Sequence, residues 1–253
     1  MKKVNESGAQ KNIIAFERLI AIVKTFGPAY NPSKLSMQIT GLDQSLIDVR
    51  ELAEGKRDAK TLFDNSTNSR VVVFRNATTF STQIINALKA YGAAAETVSD
   101  ARGFVNKMTG RSSSQKDLSA VAEEAVVTPE DPTVKQLKTI SSYQTSYDNK
   151  LEHFARLINV AKNEPSYQPN EENLKPLGLD AKHDELQASN TQVINHYSEW
   201  SRFRILLHEK IQNPLTGIIA NANAVKQYTK AVFGASSNEH RQLSAIQFTY
   251  SKL

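Results

Sequence analysis

Phe16-Glu17-Arg18-Leu19-Ile20 returns as Phe154-Ala155-Arg156-Leu157-Ile158, and Lys24 returns as Lys162, at an offset of 138 residues. One residue is then lost. At an offset of 137, Tyr30-x-Pro32 meets Tyr167-x-Pro169 and Gly41-Leu42-Asp43 meets Gly178-Leu179-Asp180. Further on, Gly110-x-Ser112-Ser113 matches Gly234-x-Ser236-Ser237 at 124, and Leu118-Ser119-Ala120-Val121 matches Leu243-Ser244-Ala245-Ile246 at 125. The middle of the second copy is therefore thirteen residues shorter. No register is assigned there beyond a suggested pairing of Phe74-Arg75 with Phe203-Arg204. The general likeness of Leu-rich helices accounts for the first block but not for Tyr-x-Pro or Gly-x-Ser-Ser. Matched blocks in one order read as a tandem duplication, with repeats at 1–126 and 127–253.

Each repeat has the periodicity of helices. Ile13, Phe16, Ile20 and Val23 step by three and four until Gly27-Pro28 ends the run, and Ile39, Leu42, Leu46, Val49 and Ala53 continue the same rhythm. The polar stretch Asp64-Asn65-Ser66-Thr67-Asn68 offers N-caps for a new helix. From Ala77 a seam of Phe80, Ile84, Leu88, Tyr91, Ala95, Val98 and Val105 reads as one long helix that carries Gly92 and Gly103 inside it. In the second repeat Leu137, Ile140, Tyr147, Leu151, Phe154, Ile158 and Ala161 form a stripe that starts after Asp131-Pro132. Leu186 to Leu207 makes a middle helix that Pro214 must end, and Leu215 to Val232 makes the last. Val71-Val72-Val73-Phe74 has strand-like composition, but its short length and helical flanks favour helix. Ser112 to Thr128 reads as the connection between repeats. The tail from Leu243 to Tyr250 alternates with period two and is expected to lie extended, as is its counterpart Leu118–Val121. The expectation is an all-α protein, a tandem duplication of an antiparallel helical-bundle unit.

Composition agrees with that class. The chain has 253 residues, 40% hydrophobic and 23% charged, with ten Gly and eight Pro, too few for the dense turns of a β-sandwich. No cysteine is present, so a disulfide framework, a thiolate metal site and a cysteine nucleophile are all excluded. Met1-Lys2-Lys3-Val4-Asn5-Glu6-Ser7-Gly8 lacks the apolar run of a signal peptide, and no segment has the roughly 18–20 apolar residues of a membrane span. The expected location is cytoplasmic. The net charge is +5, most of it in the first half. The densest basic clusters are only Lys56-Arg57 and Arg202-Phe203-Arg204, short of a nucleic-acid arm.

Catalytic patterns are missing from the sequence. There is no phosphate loop, nucleophile elbow or His-Glu-x-x-His, so the reading is a protein that is not an enzyme and needs no cofactor or metal. Asp180-x-x-His183 sets a carboxylate and an imidazole on one helical face. A bundle metal site needs further ligands from facing helices, however, and the first repeat has Leu46 where the second has His183. Trp200-Ser201-Arg202-Phe203-Arg204 reads mainly as core aromatics with arginines solvating the outer face. The same residues, with Arg75 opposite Arg204, are the candidate anion or partner site: Arg75, Arg202 and Arg204. Tyr30 and Tyr167 read as turn-packing residues whose rings cover a bundle end while the hydroxyls reach solvent.

Gly234-Ala235-Ser236-Ser237, Gln242 and Ile246-Gln247-Phe248, preceded by Val225-Lys226-x-Tyr228-x-Lys230-x-Val232-Phe233, resemble the ending of a family of bacterial all-helical proteins of about this length. The resemblance covers the last thirty residues or so. It implies a helical fold and brings no activity with it.

Three functions compete. The first is a non-enzymatic helical scaffold or interaction module that binds a protein partner or itself. The second is an anion or nucleic-acid binder, motivated by the positive charge and by Arg70, Arg75, Arg202 and Arg204. The third is a membrane-active protein, for which Val71–Phe74 and Ile205–Leu207 are the short apolar candidates.

Overall fold

The computed structural model describes residues 8–110 and 146–250. Among these residues the protein is all-helical. In chain order the helices are α1 (Gly8–Lys24), α2 (Ile39–Ala90), α3 (Ala95–Thr109), α4 (Tyr147–Asn163), α5 (Pro176–Gln212), α6 (Ile218–Phe233) and α7 (Asn238–Ser244). Short 3-10 turns at Gly27–Ala29 and Leu35–Met37 lie between α1 and α2. None of these helices is long and apolar enough to cross a membrane. The expected repeat boundary at 126/127, the connection Ser112–Thr128, the segment Leu118–Val121 and the start of the stripe at Leu137 all lie outside the described residues.

The chain divides into two compact units. Unit 1 is Met1–Asn65 with Asn195–Leu253, and unit 2 is Ser66–Ile194. Unit 1 thus combines the two ends of the chain while unit 2 is its continuous middle, and α2 and α5 each supply a segment to both.

Unit 1 buries the stripe read from the sequence. Phe16, Leu19 and Val23 of α1 are fully enclosed with Leu42 and Val49 of α2, Ile211 of α5, and Ile218, Ala222 and Val225 of α6. Leu243 and Ile246 close this core. In unit 2, Phe154, Leu157 and Ala161 of α4 pack with Ile84 and Leu88 of α2, Ala101 and Met108 of α3, and Leu179 and Leu186 of α5. Both stripes follow the 3.6 period because only one face of each helix meets its neighbours.

The turns after α1 and α4 are built alike. Tyr30 N–H donates to Gly27 O at 3.1 Å, and Tyr167 N–H donates to Glu164 O at 3.0 Å. The Tyr30 hydroxyl donates to Met37 O at 2.7 Å, and the Tyr167 hydroxyl to Leu174 O at 3.0 Å. These hydroxyls bond to the backbone instead of reaching solvent as expected. Both rings are buried, and burial pushes the phenol of Tyr167 up to about 12 and that of Tyr30 higher still. A short internal acceptor is what allows a buried phenol. A Cβ on Gly41 would collide with the Leu35 carbonyl, and one on Gly178 with the Glu172 carbonyl. Lys24 Nζ meets Asp43 at 2.9 Å, and Lys162 Nζ meets Asp180 at 2.7 Å.

Three expectations about element ends need correction. No new helix starts at Asp64–Asn68, because α2 runs through it without a break. Asp, Asn, Ser and Thr cost only a few tenths of a kcal/mol each inside a helix. Lys60 Nζ to Asp64 Oδ1 at 2.5 Å supports that turn from within. The seam from Ala77 to Val105, read as one helix, is two. Gly92 takes φ 82°, with Gly92 N–H donating to Lys89 O and Ala93 N–H to Leu88 O, a left-handed C-terminal cap that only glycine enters cheaply. Only the first two residues of the tail, Leu243 and Ser244, are helical, at the end of α7, whose start Ser237 Oγ caps by accepting from His240 N–H; Ile246 to Tyr250 form no helix. There Thr249 is tied to α1: its N–H donates to Asn12 Oδ1 at 2.8 Å and its carbonyl accepts from Asn12 Nδ2 at 2.7 Å. Lys226 donates to Ile246 O at 2.6 Å and lies 5.2 Å from the Phe248 ring, so residues of the C-terminal signature hold one another. Burial pulls the Lys226 amine below its ordinary value.

Candidate functional site

Trp200, Phe203 and Leu207 recur on α5 at spacings of three and four, which turns all three toward unit 1. Leu207 is buried, and the Phe203 ring occupies the space a Cβ on Gly55 of α2 would need. Glycine inside a helix costs about 1 kcal/mol relative to alanine. At Gly55 the missing side chain is what admits the ring. Trp200 stacks on Phe63 with centroids 5.6 Å apart and planes at 8°, and Tyr197 meets the same two rings at 5.9 and 5.6 Å.

The arginines beside this cluster have partners. Arg202 grips Glu199 with two bonds, Nε to Oε2 at 2.9 Å and Nη2 to Oε1 at 2.5 Å, and its guanidinium lies 4.5 Å from the Phe203 ring. That pairing holds Glu199 below the usual carboxylate value and Arg202 above its own. Arg204 lies 5.5 Å from the indole of Trp200, a cation–π contact. Arg75 is exposed on α2 within unit 2, where the adjacent Phe74 is buried edge-on to Tyr147 at 4.9 Å. Arg70, also in unit 2, sits 4.0 Å from the Tyr147 ring. The structure therefore commits Arg202 and Arg204 to neighbours on their own helix and leaves Arg75 exposed, without an ion pair among the described residues.

A second basic group lies near Trp200. α1, α2 and α5 of unit 1 enclose a cleft of about 600 Å³ whose walls include Lys56, Arg57 and Lys60. These fall on one face of α2 because Lys56 and Arg57 lie four and three residues before Lys60. Gln10 of α1 and Trp200 stand across from them, and the buried Ile13 and Leu207 contribute apolar surface. Lys60 is bound to Asp64 and lies 5.5 Å from the indole centroid. Of this group the sequence showed only Lys56-Arg57, since the other walls come from distant segments.

Unit 2 has an open groove of about 710 Å³ between α2 and the start of α5. Its charges are matched: Lys182 donates to Glu185 at 2.6 Å and Lys175 to Glu172 at 2.5 Å. The pair singled out as a weak metal motif is divided among other partners. Asp180 receives Lys162, while His183 Nδ1 lies 3.7 Å from Asp184 Oδ1. Among the described residues no three potential ligands cluster.

The periodicity reading did not single out His153. It is 3% exposed in the core of unit 2, 6.5 Å from the Phe104 ring, and neither ring nitrogen has a hydrogen-bond partner among the described residues. Burial pulls its pKa down, and the cations Lys107 of α3 and Arg156 of α4 add to that against Glu152. It is held as a neutral imidazole away from either cleft.

No family model, curated protein or solved structure matches this chain.

Proposed function

We propose that the protein is a non-enzymatic helical interaction module, built by duplication of one helix–turn–helix element, and that unit 1 binds a protein partner. The duplication draws support from the paired turns: the tyrosine-to-carbonyl bond, the crowded glycine and the Lys–Asp pair each occur at equivalent positions of both repeats. The binding role rests on one observation, the distribution of exposed apolar side chains. Of the fifteen large apolar residues exposed among the described ones, ten belong to unit 1. On α5 they include Tyr197, Ile205 and Leu206 at 49%, 51% and 38% exposure. Ile205 and Leu206 are adjacent on α5, and contiguous exposed apolar surface is what marks interaction sites.

The test uses the full chain as tagged bait in a lysate of its own cells, with and without nuclease. The expected result is one partner held at stoichiometric abundance by the wild type and lost by the double variant Ile205→Asp/Leu206→Asp, whose circular dichroism stays native. Equal capture by both baits would refute the binding face. Loss of every partner on nuclease treatment would move the reading to nucleic acid. A wild-type dimer split by the same substitutions would assign the face to a second copy of the chain.

A further inference from the structure

We propose that the unit 1 cleft between α1, α2 and α5 is a binding site for a small amphiphilic organic anion, an acidic group carried on an apolar body. This goes beyond the partner-binding reading and uses different residues. The volume, about 600 Å³, falls within the usual range of roughly 300–1,000 Å³ for small-molecule sites.

The charge of the cleft selects the ligand. Lys56, Arg57 and Lys60 line it and, among the described residues, no carboxylate does. Lys60 is neutralised by Asp64, whereas Lys56 and Arg57 form no ion pair among the described residues. They share this with Arg75, among others, and differ from six cations elsewhere in the described residues. Lys24, Arg50, Lys162, Lys175, Lys182 and Lys210 each meet a carboxylate within 2.9 Å. Ala9 and Gln10, also in the cleft wall, belong to the first turn of α1, the positive end of that helix.

The remaining wall excludes the simpler ligands. An inorganic anion would satisfy Lys56 and Arg57 but leave the half-buried Trp200, Ala9 and Ala53 of the wall wet. A purely apolar molecule would cover that surface while desolvating two cations with nothing to receive them. A molecule with both parts meets both demands.

The cleft also carries its own reporter, because Trp200 is the single tryptophan of the chain. The probe is 8-anilinonaphthalene-1-sulfonate, an acidic group on an aromatic body, titrated into the full-length protein while Trp200 emission is followed. The expected result is saturable quenching with one site per chain. Affinity should fall about tenfold or more in Lys56→Glu/Arg57→Glu and more modestly in Arg57→Gln, which guards against misfolding of the double variant. It should also weaken with added salt, as exposed charge pairs do. The uncharged analogue N-phenyl-1-naphthylamine should bind wild type and variants alike. Absence of saturable quenching, equal sulfonate affinity in wild type and Arg57→Gln, or a wild-type affinity for the uncharged analogue as high as for the sulfonate would each overturn the proposal.

Discussion

Both units place a cleft beside α2 and α5, at about 600 Å³ in unit 1 and about 710 Å³ in unit 2, yet the two differ in how their charges are used. In unit 2, Lys182 and Lys175 are tied to Glu185 and Glu172, so the groove presents matched charge. In unit 1, Lys56 and Arg57 stand beside apolar surface with no acid in the wall among the described residues. The cores diverge as well. His153 of α4 is buried in unit 2, and the position 138 residues earlier is Ala15. What the units share lies at the turns, where Tyr30 and Tyr167 make the same bond. Features repeated in both halves hold the fold, while features present in only one are where function is to be sought.

The largest expected effect tests the shared part. Phe16→Ala and Phe154→Ala each empty a fully enclosed site and should each cost about 3–5 kcal/mol in urea unfolding. A loss confined to one of the pair would break the equivalence of the two cores. Next come Gly41→Ala and Gly178→Ala. Each added methyl meets a backbone carbonyl that cannot rotate away, and a loss of about 1–3 kcal/mol is expected from both. Wild-type stability in either would contradict the common turn.

His153→Leu sharpens the difference between the units. The folded state holds this imidazole below its ordinary pKa through burial, then Lys107 and Arg156. Its neutral form therefore contributes stability that is present above the unfolded value near 6.5 and is lost as pH falls below it. His153→Leu should flatten the decline of the urea midpoint between neutral and acid pH; an unchanged slope would remove His153 as its cause. The smallest effect is expected from Lys24→Met and Lys162→Met. Exposed ion pairs are worth about 0–1 kcal/mol, so both variants should unfold within that margin of wild type. A larger loss at one would show that its pair is more than a surface contact.

Particular residues show what the sequence could reveal. The stripe Ile13, Phe16, Ile20 and Val23 is buried as its spacing demands, because a helix against a core has one inward face. The Tyr-x-Pro turns were visible as repeats, but their hydroxyl acceptors were not, since Met37 and Leu174 supply backbone rather than side chains. Asp64–Asn68 misled because cap-forming residues are also tolerated inside a helix. Gly92 was misjudged for the opposite reason: the apolar seam resumes at Ala95 and masks the turn. Among the arginines the local pattern was readable, with Glu199 three residues before Arg202 and Trp200 four before Arg204. The cleft was not, because Gln10, Lys56-Arg57 and Trp200 become neighbours only through tertiary packing.

The most direct test of the division of labour compares two surface variants in one partner-capture experiment. One carries Ile205→Asp/Leu206→Asp on α5 of unit 1, and the other Val71→Asp/Val72→Asp on α2 of unit 2. Both pairs are exposed in the folded chain. With binding placed on unit 1, the first variant should lose the partner that wild type retains and the second should keep it. Loss by the unit 2 variant with retention by the unit 1 variant would contradict that assignment.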